Sequence, residues 1–448
     1  MTVDLVLTNT KSIIDHRIID CSLAIDNGKI VKIGRPPTMP PAEMNVNLRN
    51  LLVLPGLIDV HVHLRDQGKA DKEDFLSGTS AAAAGGFTTV LDMPNNEPVT
   101  MSARTLRDRM AIAEKRILVN VGFYSEFPEC TAEIRKIIET GAIGFKLFMT
   151  ERVGGIDPDD TTSLPDAFGE LSTKHTLVAA HAEDHGTVKQ MEEELKAAGR
   201  SDIDAFLSAH SEQAEERAIK RLTTIAEETG TRLHVCHISS KAGLAAVIEG
   251  KNRRLPVTCE TTPHHLLLTT QDLKRIGTVA VTMPPVRGKD EADALWQGLH
   301  DGSIDLLASD HAPHRLEEKT NEDIWKVKVG LPGLETTLSL MLTQVSGKRL
   351  TLSDLVRLLA EKPAEVFGLA GKGRIEEGCD ADLTVVDLKA KFKIDPSKFH
   401  SKARFSPFDN WNVTGKAVKT FVGGDLVMDQ GEIVGEAGCG QIVRGKSH

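Results

Sequence analysis

"LIDVHVHLR", residues 57–65, combines a strand-like pattern with side chains that can bind a metal. Apolar and polar residues alternate in this stretch, which predicts a β-strand whose alternate side chains share one face. His61 and His63 therefore point the same way and could hold one ion between them. A single His-x-His pair is weak evidence by itself, because such a pair also occurs on exposed surface strands.

The same stretch opens a series of eight short apolar runs that are separated by longer helical patterns. Alternation of this kind is typical of βαβ units and a parallel sheet. We therefore predict an α/β protein with a (β/α)8 barrel of the TIM type, and a doubly wound open sheet is the alternative. The eight runs are LIDVHVH, TTVLDMP, VNVGFY, IGFKLFM, LVAAHAE, RLHVCHI, PVTCETT and IDLLASD.

Both ends of the chain have a different texture, with short β-rich runs between turns. Asn27 and Gly28 stand between alternating apolar residues, which is a strong hairpin signal. Residues 1–53 and 368–448 are therefore predicted to build one small β-sandwich domain from both chain ends. Residues 54–367 are predicted to form the barrel.

Length and composition suit this division and exclude several kinds of partner. The chain has 448 residues, enough for a barrel of roughly 250 residues and one companion domain. The net charge is −10, and no stretch concentrates lysine and arginine. Nucleic acid and anionic membranes are therefore not expected as partners.

The cysteines and the N-terminus predict a cytoplasmic protein. The six cysteines are scattered and form no Cys-x-x-Cys pair, which suits reduced thiols better than a disulfide framework. The sequence "MTVDLVLTNT" has no basic region before an apolar run, so it does not resemble a signal peptide. No apolar segment approaches the length of a membrane span.

Metal-capable side chains stand at the ends of several predicted strands. Barrel enzymes carry their chemistry at the carboxyl ends of the strands, and Lys146, His181, His237 and Asp310 fall at such positions. Each histidine alone could be an ordinary core or surface residue. Four histidines and one carboxylate at corresponding strand ends instead predict a site for zinc or a similar metal.

Lys146 lies among apolar residues in "GAIGFKLFMT", residues 141–150. Its stem could lie along apolar surface while the amine reaches water. Beside two dications, however, an ammonium would be repelled, and the neutral amine would be favoured. A neutral amine can add carbon dioxide and become a carbamate, whose two oxygens could bridge two metals.

With these motifs, the chain resembles the dihydroorotases of the amidohydrolase superfamily along essentially its whole length. The His-x-His element is shared widely by metal-dependent hydrolases. The element "ASDHAPHRLEEK", which ends at Lys319, and the element "TPHHL" are more specific to dihydroorotases. Allantoinases and hydantoinases are similar in fold and metal site but usually differ in these two elements. The other matching stretches are DVHVHLR, DMPN, GFKLFMT, AHAED and VCHISS.

The resemblance implies reversible hydrolysis of L-dihydroorotate to N-carbamoyl-L-aspartate, a step of pyrimidine (UMP) biosynthesis. It also implies two Zn²⁺ ions per subunit, bridged by a hydroxide and by N-carboxylated Lys146. Asp310 would act as general acid and base, taking a proton from the hydroxide and passing it to the leaving nitrogen. The implied metal ligands are His61, His63, Lys146, His181, His237 and Asp310.

Substrate binding is assigned to three further residues. Arg65 offers a guanidinium fork for the carboxylate of dihydroorotate, and the resemblance implies that Asn95 and His314 complete this site. The alternatives are a surface ion pair for Arg65, a turn-forming role for Asn95 and a helix-cap or loop role for His314.

The chain also departs from the family pattern. Gln67 stands where many relatives have proline, and Met283 where many have asparagine. Residues 150–165 could form a loop that covers the substrate, or an ordinary surface loop. Cys236 and Glu260 stand near the predicted metal cluster and are interpreted as outer contacts or packing residues.

Two other functions stay open at this point. One is a different cyclic amidase that acts on allantoin or hydantoins, and the other is a metal-free paralogue that serves as a scaffold. Inert members of the superfamily typically lose metal ligands, whereas all six expected positions are present here. Relatives are often homodimers or larger, so a homo-oligomer is implied. A carbamoyltransferase is a further candidate partner, although no motif supports this association.

Overall fold

The structure, a computed structural model, describes residues 2–445, and the N-terminal part of the chain forms five strands. Asn27 and Gly28 join the second and third strands with φ angles of 49° and 73°. Two positive φ angles are those of a two-residue hairpin turn, so the hairpin predicted from the sequence is confirmed. The strands are β1 (Val3–Ile14), β2 (Arg17–Asp26), β3 (Lys29–Gly34), β4 (Ala42–Asn47) and β5 (Leu52–Pro55).

Eight parallel strands in the middle of the chain form a barrel within residues 2–445. Neighbouring strands pair in sequence order, and the backbone N–H of His63 closes the ring by donating to the carbonyl of His311 at 2.8 Å. The predicted barrel is confirmed, and the open-sheet alternative is excluded. Each predicted run overlaps one strand: β6 (Leu57–Val62), β7 (Phe87–Asp92), β8 (Asn120–Glu126), β9 (Gly144–Phe148), β10 (Leu177–His181), β11 (Arg232–Val235), β12 (Val257–Thr261) and β13 (Leu306–Leu307).

Helices follow the barrel strands, and their ends show the expected capping residues. In α7, Ser211 accepts a hydrogen bond from the backbone N–H of Ala214, and Gly230 ends the helix with φ 71°, a conformation that favours glycine. The helices are α1 (Phe75–Gly85), α2 (Ala103–Ala113), α3 (Ala132–Thr140), α4 (Ser163–Ser172), α5 (His185–Ala197), α6 (Ile203–Ala209), α7 (Glu212–Thr229), α8 (Lys241–Asn252), α9 (Pro263–Leu267), α10 (Thr270–Ile276), α11 (Lys289–Asp301), α12 (Leu316–Lys319), α13 (Leu334–Ser346), α14 (Leu352–Val356) and α15 (Lys362–Phe367).

The C-terminal strands join the N-terminal ones in a second sheet, so the predicted domain from both chain ends is confirmed. The C-terminal strands of this sheet are β14 (Leu383–Lys393), β15 (Asn412–Val422), β16 (Asp425–Asp429) and β17 (Glu432–Ile433), and a further strand, β18 (Ile442–Val443), lies outside it. Hydrogen bonds connect nine strands of residues 2–445 into one continuous sheet, in the order β17-β16-β15-β14-β5-β1-β2-β3, with β4 beside β1.

The predicted domain boundaries differ from the structure at two places. Strand β5 extends the terminal sheet to Pro55, so the predicted boundary at residue 54 falls inside a strand. Strand β18 pairs with β8 of the barrel, although residues 368–448 were assigned to the terminal domain. Ile442 and Val443 therefore lie against the barrel, where they pair in parallel with Val121 and Gly122.

Helices α1 and α13 carry much of the contact between the two domains. The hydroxyl of Thr384 donates to the carbonyl of Gly86 at 2.6 Å, and that of Thr420 donates to the carbonyl of Ala83 at 2.8 Å. A side chain at Gly85 would place its Cβ 2.1 Å from the carbonyl oxygen of Leu334, so glycine is needed there.

Within residues 2–445, no helix has the length and apolar character required to cross a membrane.

Candidate active site

A cavity of about 530 Å³ opens at the carboxyl ends of the barrel strands. Barrel enzymes carry their chemistry at this end. The structure brings all nine site residues predicted from the sequence together around the cavity, while their individual roles stay predictions. They are His61, His63, Arg65, Asn95, Lys146, His181, His237, Asp310 and His314.

Three of these residues form a compact group of possible metal ligands. His61 and His63 come from the end of β6, and Asp310 follows β13. The Nε2 atoms of the two histidines lie 3.3 and 3.4 Å from Oδ1 of Asp310. One donor atom from each residue lies within 4.8 Å of the other two, so a single cation could contact all three.

Outer contacts orient the two histidines of this group. Nδ1 of His61 lies 2.5 Å from an oxygen of Glu260, and Nδ1 of His63 lies 2.8 Å from Oδ1 of Asn95. An acceptor at Nδ1 fixes the proton there and leaves the Nε2 lone pair for a metal. Burial also lowers the pKa of His61 to about 4, which favours the neutral imidazole that metals bind.

Lys146 lies at the centre of the barrel on β9, and its side chain is completely buried. Its Nζ donates to Sγ of Cys236 at 3.1 Å and lies 5.0 Å from the Phe148 ring centroid. No carboxylate of residues 2–445 forms an ion pair with this amine. Because a buried, unpaired ammonium is costly, the position fits a lysine whose amine is converted to an anion.

His181 and His237 form a second pair of possible ligands beside Lys146. Nδ1 of His181 lies 3.1 Å from Nε2 of His237, and Nε2 of His181 lies 2.8 Å from an oxygen of Glu183. Burial lowers the pKa of His237 well below its usual value. Two buried imidazoles with facing nitrogens suit a shared cation, so the donor set of the cavity fits two metal ions.

The backbone is strained at three residues of the cavity. Arg65, His237 and Asp310 adopt φ angles of 62°, 34° and 46°, in the left-handed region. Such conformations cost about 1–3 kcal/mol each in residues other than glycine and cluster at functional sites. The surrounding contacts hold these side chains in positions that relaxed strand geometry would not give.

Arg65 and His314 form the polar wall next to the metal ligands. Nη2 of Arg65 lies 3.2 Å from Nε2 of His314, and Nε of Arg65 donates to the carbonyl of Pro313 at 3.2 Å. Burial lowers the pKa of Arg65 to about 10, so the guanidinium stays charged at neutral pH. No carboxylate among the described residues pairs with it, so an anionic ligand could do so.

The departures from the family pattern also lie near this site. Met283 lines the cavity, as do Glu151, Arg152 and Val153 at the start of the segment 150–165. The segment therefore reaches the site, and its function as a cover for the substrate stays a prediction. The backbone carbonyl of Gln67 accepts a hydrogen bond from Glu97 at 2.9 Å, and Gln67 is not among the lining residues.

Four residues near the site occupy positions whose contacts the sequence did not predict. Glu260 and Cys236, interpreted as outer contacts or packing residues, touch His61 and Lys146 directly. Glu183 was missed, although it follows His181 by two residues. Lys69 was also missed, and it lines the cavity from the segment between β6 and α1.

Comparison with known proteins gives one family and two kinds of named relative. Residues 52–427 match the sequence model of the Amidohydrolase family. A dihydroorotase of Methanothermobacter thermautotrophicus is 39% identical over 420 residues, which cover 93% of each chain. An L-hydantoinase of Paenarthrobacter aurescens is 34% identical over 452 residues, which cover 99% of each chain. The solved L-hydantoinase (dihydropyrimidinase) from Arthrobacter aurescens is 34% identical, with a TM-score of 0.95 over 99% of this chain and 100% of that one.

Proposed function

Since this chain belongs to the amidohydrolase family, we propose that it hydrolyses L-dihydroorotate reversibly to N-carbamoyl-L-aspartate, in pyrimidine (UMP) biosynthesis. The observation that carries the proposal is the position of Arg65. Its guanidinium, unpaired with any carboxylate of residues 2–445, lies beside His314 in the same cavity as the possible metal ligands. Dihydroorotate carries a carboxylate that neutral hydantoin rings lack, and a guanidinium fork matches that group.

Two Zn²⁺ ions per subunit are proposed as the cofactors, with N-carboxylated Lys146 between them. When bound, they would polarise the ring carbonyl and lower the pKa of a water molecule, which supplies a nucleophile at neutral pH. The fit rests on the buried histidines and on the buried amine of Lys146, which lacks a carboxylate partner among residues 2–445. The proposed ligands are His61, His63, Lys146, His181, His237 and Asp310.

Asp310 is proposed as the general base and general acid. Its carboxylate is buried next to His61 and His63, and burial raises its pKa above the usual value. A raised pKa brings a carboxyl group closer to the operating pH, where it can both accept and donate a proton. Asp310 would take a proton from the attacking water and deliver it to the leaving amide nitrogen, and the reverse reaction would use the opposite protonation states.

Arg65, Asn95 and His314 are proposed to bind and orient the substrate carboxylate. Asn95 accepts from His63 through its Oδ1, which leaves its amide NH2 group to donate to the substrate. His314 is buried between Arg65 and the carbonyl of Val329, 3.0 Å from its Nε2. A carboxylate held by these groups would fix the ring with its amide carbonyl toward the metal ligands, and orientation of this kind contributes strongly to rate.

A second candidate function is ring opening of a hydantoin or of allantoin. The observation that favours it is the similarity to L-hydantoinases, which covers nearly the whole chain in both sequence and structure. A catalytically inert scaffold is the weakest alternative, because all six proposed ligands surround the cavity. The cytoplasmic location, the homo-oligomer and the association with a carbamoyltransferase stay predictions.

Ring opening by the zinc-loaded protein and by its Arg65→Met variant tests the proposal. We expect L-dihydroorotate to be a substrate, with kcat/KM reduced about a hundredfold in Arg65→Met because a charge-assisted bidentate contact is lost. Turnover of hydantoin or allantoin should change much less. Arg104→Met is the matched control, because the Arg104 side chain is 87% exposed. Equal losses for charged and neutral substrates would contradict carboxylate recognition by Arg65.

A further inference from the structure

Lys69 is a partly buried cation on the wall of the cavity. It belongs to the segment that connects β6 with α1, four residues after Arg65. Its Nζ donates to the backbone carbonyl of Asn95 at 2.8 Å. No carboxylate of residues 2–445 lies within ion-pair distance of this ammonium, and two of its three N–H groups stay available.

The surroundings of Lys69 favour an anion in the cavity. Burial lowers the pKa of Lys69, and the charge of Arg65 lowers it further. Two cations near each other are costly unless a negative group lies between them. The neighbouring Lys72 does not share this situation, because it forms an ion pair with Glu318 at 2.9 Å.

Direct carboxylate partners of these two cations are absent within residues 2–445. Among the described lining residues, Glu151 and Asp310 are the acidic ones. Asp310 lies against His61 and His63, and its charge acts on Arg65 only at longer range, as the charge of Glu97 does on Lys69. Arg65 and Lys69 therefore line one cavity without a carboxylate within ion-pair distance of either side chain. A ligand carboxylate would complete their hydrogen bonds and compensate their charge.

We propose that Lys69 is a specificity-determining residue, which pairs with the substrate carboxylate together with Arg65 and so selects anionic rings over neutral ones. The identity of the ring as dihydroorotate rests on the proposed function, whereas the preference for a carboxylate rests on Lys69 and Arg65 themselves. Lys69 would thereby be the fourth residue that binds the substrate carboxylate, beside Arg65, Asn95 and His314.

A purely positioning role for Lys69 makes a different prediction. In that case Lys69 would do no more than hold the backbone of Asn95 in place through its hydrogen bond. The side chain of Asn95 in turn orients His63. Loss of that bond would disturb the metal site, and neutral and anionic ligands would then be affected alike. A comparison of two ligands that differ by one carboxylate separates the two roles.

Orotate and uracil are such a pair, since they share a planar ring and differ in the carboxylate. Their binding to the zinc-loaded protein would be measured by calorimetry for the wild type, Lys69→Met and Lys69→Arg. Lys398→Met is the control for net charge, because Lys398 lies in the terminal domain and is 82% exposed.

We expect orotate to bind Lys69→Met about tenfold more weakly, as the loss of one charge-assisted contact implies. Lys69→Arg should recover most of that loss, and Lys398→Met should bind as the wild type does. The affinity for uracil should stay the same in all four proteins. Equal weakening for orotate and uracil, no weakening for either, or no orotate binding by the wild type would each overturn the proposal.

The same variants in ring-opening assays separate this proposal from the proposed function. If the wild type opens hydantoin and does not open dihydroorotate, the proposed function fails. The selective loss of orotate binding in Lys69→Met would still support an anion-binding Lys69. If the wild type opens dihydroorotate and Lys69→Met does so with unchanged KM, the function stands and the assignment of Lys69 fails.

Discussion

Nδ1 of His61 lies 2.5 Å from a carboxylate oxygen of Glu260, and both side chains are buried inside the barrel. The other oxygen of Glu260 lies 3.1 Å from Nε2 of His234. Nε2 of His61 is left to face Asp310. A carboxylate behind a ligating histidine fixes its tautomer and increases its basicity. Glu260 therefore supports the proposed metal site, although it is not among the residues that line the cavity.

Replacement of Glu260 by glutamine should weaken zinc binding. An amide keeps the shape but removes the negative charge behind His61, so affinity should fall about 10–100-fold. Competition between the protein and a chromogenic chelator measures this affinity directly. Glu139→Gln is the control because Glu139 is 65% exposed. Unchanged zinc affinity in Glu260→Gln would show that the contact has no effect on the metal.

Lys146→Ala should bind less zinc than the wild type and lose nearly all ring-opening activity. The variant keeps all four histidines but lacks the amine that is proposed to carry the bridging carbamate. Metal content after gel filtration and turnover of L-dihydroorotate are the two measurements. Lys136→Ala, at a 66% exposed position, should match the wild type in both. Full metal content with full activity in Lys146→Ala would contradict the bridging role.

Arg109→Met should destabilise the fold by about 3–5 kcal/mol, as expected when a buried ion pair loses one partner. Nη2 of Arg109 lies 2.7 Å from Asp92, and neither side chain reaches solvent. The other Asp92 oxygen accepts from the backbone of Leu64, next to Arg65. Urea unfolding measures the change. Exposed Arg104→Met should stay within about 0.5 kcal/mol, and a similarly small effect in Arg109→Met would refute the prediction.

Glu126 should make the stability of the protein depend on pH. Burial raises the pKa of Glu126 from 4.5 to about 8, so the folded protein keeps a proton that the unfolded chain releases. The unfolded state then binds fewer protons, and stability falls as pH rises from about 4.5 to about 8. Above about pH 8 the folded state bears the full free-energy cost of the ionised, buried Glu126 carboxylate.

Glu126→Gln removes this penalty because glutamine does not ionise. Relative to the wild type, the variant should gain of order 2–4 kcal/mol between about pH 5 and about pH 8. Urea midpoints at the two pH values provide the measurement, with exposed Glu139→Gln as the control. A constant difference between Glu126→Gln and the wild type at both pH values would mean that Glu126 does not titrate in this range.

The barrel could be predicted from the sequence because its strands are short, mostly apolar runs that are almost entirely buried in the structure. It also placed the possible metal ligands, since residues such as His181 and Asp310 stand at or just after strand ends. Parallel strands bring their carboxyl ends together at one edge. The pattern along the chain therefore translates directly into proximity in space.

Contacts that depend on loop paths or distant partners could not be predicted in this way. The two-residue strand β18 has no periodicity of its own, so its pairing with β8 is visible only in the structure. Glu260 meets His61 across 199 positions of sequence. Lys69 lines the cavity only because its loop folds back to the carbonyl of Asn95. No local pattern of residues encodes these approaches.

The most direct test of the proposed activity is the ratio of two kcat/KM values for the zinc-loaded wild-type protein. One is measured with L-dihydroorotate and the other with unsubstituted hydantoin under the same conditions. We predict that dihydroorotate is preferred at least about a hundredfold. A site that binds a polar group of its substrate is left with unpaired polar side chains when the ligand lacks that group. A ratio at or below unity would contradict the assignment and identify the protein as a hydantoin-opening enzyme.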